Sequence, residues 1–138
     1  MTKSPIKIRA KVIKGAGRGR KLSFPTINFD PKAAKTLGEG VYVCRVFTPK
    51  PYWGVLHFGS RPTFGEKEKS LEVYLFDFDK DQIPKKLDIE VYSYIRKVVK
   101  FANLGQMVKK IEKDIAFAKK QLALITAKSA DLTGFDKP

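Results

Sequence analysis

The sequence predicts a mainly β fold: a small antiparallel barrel with one long α-helix at its C-terminus. Two observations lead there. Up to about residue 95, short runs with period-two alternation recur between Gly- and Pro-containing breaks, five or six in number. From Leu104 the apolar spacing changes to three and four and holds to Leu122. A set of strands followed by a single helix packs as a closed sheet with the helix laid against it.

The first run places Ile6, Ile8, Ala10 and Val12 on one face and Lys7, Arg9 and Lys11 on the other, the pattern of a half-exposed strand. It leads into the basic loop Gly15-Ala16-Gly17-Arg18-Gly19-Arg20-Lys21. Ser23 to Asn28 follows as an extended segment in which Pro25 fixes φ and excludes a central helix. Asp30-Pro31 and Gly38-Glu39-Gly40 mark turns. Further strands are expected over 41–48, 53–58, 71–78 and 87–95. Pro49-Lys50-Pro51 and Gly59-Ser60-Arg61-Pro62-Thr63 separate the first three, and Asp79-Lys80-Asp81 joins the last two. Glu66-Lys67-Glu68-Lys69 reads as an exposed, mobile loop. The helical stripe is Leu104, Met107/Val108, Ile111, Ile115, Ala118 and Leu122, with a Lys-rich opposite face and a frayed polar tail after Thr126.

With 138 residues the chain fits one domain, 1–138, with a core over about 6–124 and a polar tail over 125–138. A hydrophobic content of 43% and an aromatic content of 12% supply a core and exclude whole-chain disorder. No apolar run approaches the roughly 20 residues of a membrane span, and no signal-peptide h-region follows Met1. Cys44 is the single cysteine, so no intrachain disulfide forms and a small buried hydrophobe is expected there. The expectation is a cytoplasmic protein without a membrane partner. With His57 the single histidine and Cys44 the single cysteine, a structural zinc site is excluded. The net charge of +14 fits an anionic partner, and both ATP and RNA satisfy it.

Three places carry chemistry. The loop 15–21 lets backbone N–H groups approach phosphates at Gly15, Gly17 and Gly19, with Arg18, Arg20 and Lys21 supplying charge; it is neither a Walker A nor a Rossmann fingerprint, and a plain basic hairpin loop explains it equally well. Thr26 and Asn28, two apart on an extended segment, point the same way and offer neutral oxygens suited to a nucleotide-borne Mg²⁺; ordinary turn chemistry also explains them. Glu72 shares a strand face with Tyr74, Phe76 and Phe78, opposite Leu71, Val73 and Leu75. A carboxylate beside aromatics can act as general base for a hydroxyl if burial keeps its pKa near working pH; a solvent-facing Glu is the commoner reading. Arg61 and Arg96 are either ligand contacts or exposed charges.

Taken in order, these segments resemble the riboflavin kinase family. Residues 15–28 are similar to its glycine/arginine loop running into Phe-Pro-Thr-x-Asn. Gly40-Val41-Tyr42, Gly59-Ser60-Arg61-Pro62-Thr63-Phe64, the strand Leu71 to Phe78, Ile95-Arg96, Lys100-Phe101 and the helix with Asp114 follow at matching spacing, over roughly residues 8 to 120. The resemblance implies a six-stranded antiparallel Greek-key barrel and transfer of the γ-phosphate of ATP to the riboflavin 5′-hydroxyl, giving FMN. It implies nucleotide binding by Gly15, Gly17, Arg18, Gly19, Arg20, Lys21, Pro25, Thr26 and Asn28, with Thr26 and Asn28 on Mg²⁺. Glu72 becomes the base, and Arg96, Phe101 and Arg61 the flavin contacts. A monomer is expected. Ser23, His57, Tyr74 and Gln82-Ile83-Pro84 depart from the family pattern, which bears on rate and flavin affinity more than on reaction type. No nucleotidyltransferase segment is present, so FAD formation by this chain is not expected; a natural monofunctional kinase and an excised domain both fit. The competing reading is a basic barrel that binds nucleic acid, with Tyr42, Tyr74, Tyr92 and Tyr94 as stacking platforms.

Overall fold

A computed structural model describes residues 4–14, 24–61, 65–78 and 83–133. Strands β1 (Ile6–Ile13), β2 (Ile27–Phe29), β3 (Gly40–Phe47), β4 (Pro51–Arg61), β5 (Glu66–Leu75) and β6 (Lys86–Arg96) precede helix α1 (Leu104–Thr133), with a 3-10 turn at Pro31–Ala34. The strands close into a barrel in the order β1-β2-β5-β4-β3-β6, every pair antiparallel. β3, β4 and β5 are successive neighbours, and β6 returns to lie beside β3, which is Greek-key connectivity.

Period-two alternation decides what fills the barrel. Ile8 and Ala10 of β1, Phe29 of β2, Cys44 and Val46 of β3, Leu56 of β4, Leu71 and Val73 of β5, and Leu87, Ile89 and Val91 of β6 are all buried in one cluster. Burial pushes the Cys44 thiol pKa up, so the cysteine is an inert core residue as expected. Ile6, expected on the same face, is exposed at the strand's start. Gly54 permits the tight crossing of β4 and β5: a Cβ there would meet the Tyr74 carbonyl oxygen at 2.1 Å.

A second, smaller cluster forms outside the barrel. Val43 and Phe76 meet Ala118 of α1, with Trp53, Val55, Tyr92 and Ile115 packed around them. The helix therefore covers the outer faces of β3, β4 and β6. Its buried stripe is Met107, Asp114 and Ala118, with Val108, Ile111, Ile115 and Leu122 half-buried. Leu104, expected in the stripe, is 48% exposed because it occupies the first, uncovered turn. The side chain of Asn103 caps that turn, its Oδ1 accepting from the Gln106 amide at 2.9 Å.

Several boundaries differ from expectation. β4 runs Pro51–Arg61, so Pro51 and residues 59–61, read as breaks, are strand, held by pairing with β3 and β5. β5 begins at Glu66, so the charged stretch 66–69 is the outer part of a strand rather than a loop. Glu68 and Lys69 are exposed, and pairing with β4 supplies the backbone bonds. The 71–78 run ends as a strand at Leu75: Asp77 takes φ 56°, the alternation breaks, and Phe78 turns back to the barrel cluster beside Tyr52 instead of following Glu72 and Tyr74. Helix α1 continues to Thr133 over 30 residues, past the expected end, since residues 127–133 include the helix formers Ala127, Lys128, Ala130 and Leu132 and no Gly or Pro.

Candidate active site

One cross-strand row collects the polar candidates. Ile13 pairs with Asn28, Asn28 with Glu72, Glu72 with His57, His57 with Val41, and Val41 with Arg96. The row runs round the outer wall, because the residues flanking it in each strand, such as Phe29, Leu71, Val73, Leu56 and Phe58, are buried inside. Residues far apart in sequence thus lie on one belt. Arg96 and Glu72 are three strand spacings apart on it, about 14 Å.

Glu72 is half-buried, and its Oε1 accepts a hydrogen bond from Thr26 Oγ1 at 3.1 Å. It is not the solvent-facing carboxylate of the bland reading. Thr26 and Asn28 emerge on the same side of β2 as expected, and the register sets Asn28 directly opposite Glu72. The Thr26 hydroxyl uses its one hydrogen on Glu72, so its oxygen lone pairs stay available as acceptors. Tyr74, next on that face of β5, packs edge-on against Phe24 at 5.7 Å and Phe76 at 5.9 Å. An apolar wall therefore adjoins the carboxylate. Among the described residues no group of three His, Cys, Asp or Glu is placed to hold a metal ion. Neutral oxygens such as those of Thr26 and Asn28 fit a Mg²⁺ that arrives with phosphates better than one held in an all-protein cage.

At the other end of the belt, Arg96 is not an exposed charge. Its Nε donates to both carboxylate oxygens of Asp114 at 3.0 Å, and Nη2 donates to Oδ2 at 2.8 Å. Asp114 is 2% exposed. Nη1 donates to the Lys97 carbonyl at 3.1 Å, and the guanidinium sits over Phe101, 5.6 Å from the ring centroid. Arg96 and Phe101 are therefore brought together. Arg61 ends β4 opposite Glu66, but its side chain lies outside the described residues. So do Gly15, Gly17, Arg18, Gly19, Arg20, Lys21 and Ser23. Pro25 is exposed beside Thr26.

Two residues near the belt have no role in the sequence reading. His57 stands directly across from Glu72. Asp114 is the partner of Arg96, and its signal was a carboxylate inside the apolar stripe of α1, between Ile111 and Ile115.

A separate polar cluster occupies the same outer wall further along. Arg45 donates to Glu90 Oε1 from Nε at 3.1 Å and from Nη2 at 2.9 Å, and Tyr92 Oη donates to the same oxygen at 2.8 Å. Burial opposes the charged form of Glu90. The bonds from Tyr92 and Arg45, with the attraction of Arg45 and Lys7, outweigh it and hold the Glu90 carboxyl below its ordinary value. Burial, then the bond to Glu90, pushes Tyr92 up. The Arg45 guanidinium lies over both Phe47 and Trp53.

This arrangement disfavours the nucleic-acid platform. Tyr42 faces the barrel interior, where its hydroxyl donates to the Gly38 carbonyl at 2.6 Å. Tyr92 packs under the helix against Trp53, and Tyr74 against Phe24 and Phe76. Only Tyr94 of the four is exposed.

Comparison with known families decides the classification. The flavokinase family model, described as riboflavin kinase, matches residues 2–122. The chain belongs to the riboflavin kinase family. An RNA-binding riboflavin kinase of Bacillus subtilis is 39% identical over 120 residues, covering 86% of this chain and 52% of that protein. A trifunctional RibF/MnmA protein of Mycoplasmoides gallisepticum is 40% identical over 114 residues, covering 80% of this chain and 17% of that protein. The chain thus spans about half or less of these curated relatives. The crystal structure of riboflavin kinase from Trypanosoma brucei superposes with a TM-score of 0.63 at 20% identity, covering 100% of this chain and 94% of that one, a likeness of fold. The riboflavin kinase barrel and its covering helix are those expected from the sequence. No helix among the described residues is long and apolar enough to cross a membrane.

Proposed function

We propose that this chain transfers the γ-phosphate of ATP to the 5′-hydroxyl of riboflavin, giving FMN and ADP. The observation that carries the reading is the placement of Glu72 between Thr26, which donates to it at 3.1 Å, and Asn28, directly opposite it. A base for a hydroxyl then adjoins the neutral oxygens that meet the nucleotide's phosphates and Mg²⁺. Phosphoryl transfer asks for this: positioning and charge neutralisation, with one carboxylate to orient the attacking hydroxyl.

In this reading Glu72 accepts the hydroxyl proton. Thr26 and Asn28 hold the phosphates and their Mg²⁺, which supplies charge neutralisation at the transferring group. Gly15, Gly17, Gly19, Arg18, Arg20, Lys21 and Pro25 form the nucleotide side. Arg96, Phe101 and Arg61 form the flavin side. The protein acts as a monomer in the cytoplasm: the closed barrel leaves no open sheet edge to pair with a second copy, and an inert buried Cys44 suits a reducing compartment. The test is incubation with riboflavin, ATP and Mg²⁺ and chromatographic separation of the flavins. FMN that depends on all three is the expected result. Folded protein that makes no FMN over several nucleotides and metals overturns the reading.

A further inference from the structure

Asp114 is the most buried carboxylate among the described residues, and the proposed chemistry gives it nothing to do. It lies on α1, yet both its oxygens are turned to Arg96 at the end of β6, through three contacts of 2.8 to 3.0 Å. A guanidinium has five N–H donors in a rigid plane. Here Nε, one hydrogen of Nη2 and one of Nη1 are taken by Asp114 and the Lys97 carbonyl. One N–H on each terminal nitrogen is left without a partner among the described residues. The plane itself is laid over Phe101.

The carboxylate does two things to this donor pair. It fixes direction: a bidentate contact locks the guanidinium plane, where a free Arg samples many rotamers. It also offsets charge, since the carboxylate, itself buried, lies within 3.0 Å of the partly buried guanidinium. A neutralised, oriented N–H pair beside an aromatic ring is poorly matched to a polyphosphate. It matches an uncharged planar ligand with carbonyl acceptors.

We propose that Asp114 is a positioning residue for the flavin subsite, acting through Arg96: it holds the guanidinium over Phe101 and neutralises it, so that the pair offers two directed donors to the uncharged riboflavin. This rests on the riboflavin kinase reading and adds to it a residue on the helix and a reason for the choice of ligand.

The test is a fluorescence titration of riboflavin, read beside the KM for ATP, on the full chain. Asp114→Asn removes the charge, and Asp114→Glu displaces it by one methylene. Each is expected to weaken riboflavin binding about tenfold, the equivalent of one hydrogen bond, and to leave the KM for ATP within about twofold, inside the scatter of unrelated surface changes. Arg96→Lys keeps an ion pair with Asp114, and so the fold, but lacks the planar fork; the same selective loss is expected, which carries the test if Asp114→Asn does not fold. In an Arg96→Ala background, Asp114→Glu should change riboflavin affinity no further, because the carboxylate acts only through the guanidinium. Wild-type riboflavin affinity in folded Asp114→Glu and Arg96→Lys, an equal loss toward ATP, or additive losses in the Arg96→Ala background would each overturn the role while FMN formation by the wild type stands. A wild type that neither binds nor phosphorylates riboflavin overturns both readings together.

Discussion

Glu72 is the residue on which the proposed chemistry turns. Replacing its carboxylate by an amide of the same shape keeps the hydrogen bond to Thr26 within reach and removes the base. Glu72→Gln should therefore lower kcat by about two to four orders of magnitude, the range of a lost general base, with riboflavin affinity close to wild type. Single-turnover kinetics beside a flavin titration separate the two effects, and a near-wild-type rate removes Glu72 from the mechanism. Thr26→Ala tests the neighbouring oxygen. It should raise the Mg²⁺ concentration needed for half-maximal rate about tenfold, roughly one lost charge-assisted contact, and an unaltered Mg²⁺ curve assigns Thr26 to turn chemistry instead. Thr26, Asn28 and Glu72 were legible in the sequence because each lies in an extended run, where period two fixes the face. That they adjoin one another was not legible, because the β2–β5 pairing joins residues more than forty apart in sequence. The Arg96–Asp114 contact was hidden for a related reason: a strand end and a mid-helix residue meet only once the helix has packed.

The elements were recovered where packing and local pattern agree, and were missed where pairing overrides composition. The alternation in β1 is strict enough to name its core face, whereas β3 is apolar on both faces and buried on both. β5 begins in Glu66-Lys67-Glu68-Lys69, which no propensity favours as a strand, and it is the bonding to β4 that extends it. Gly54 shows the same dependence on a partner. A methyl group there would press on the Tyr74 carbonyl at 2.1 Å, and backbone cannot yield as a flexible side chain does. Gly54→Ala should cost about 1 to 3 kcal/mol, the range for overpacking a tight site, read by urea denaturation; stability within about 0.5 kcal/mol of wild type would mean the two strands separate freely. The cross-strand cluster of Arg45 with Glu90 adds a pH dependence. The Glu90 carboxyl is held below its ordinary value in the fold, so its contribution is fully present above that ordinary value and is lost as pH falls through the lowered one. Glu90→Gln should be less stable than wild type at pH 7 by about 1 kcal/mol, allowing for the partial exposure of Arg45. That gap should close as the pH is lowered from about 5 to about 3. A gap that stays constant with pH assigns the effect to packing rather than charge.

At the scale of the whole molecule the excess of charge is the feature the fold does not require. There are 28 Lys and Arg against 14 Asp and Glu. Some of the excess is placed without ambiguity: Lys7, Arg9 and Lys11 line the outer face of β1, which precedes in sequence the glycine- and arginine-rich residues 15–21. Lys11 even pairs across the sheet with Lys86, a like-charge arrangement that sheets ordinarily avoid. Fields of this kind act on rates of encounter more than on the fold. The two proposed substrates differ in the way that makes this testable, since ATP is a polyanion and riboflavin is uncharged. Raising the salt from about 0.01 M to about 0.15 M shortens the reach of exposed charge from about 30 Å to about 8 Å. The kcat/KM for ATP should then fall severalfold, while the kcat/KM for riboflavin, measured at saturating ATP, should hardly move. Substituting Lys7 and Lys11 by Gln should flatten the ATP curve and leave kcat intact, since neither side chain is on the Glu72 belt. Equal salt dependence for both substrates would assign the effect of salt to the protein as a whole, and the basic strand would then have no part in drawing the nucleotide to its loop.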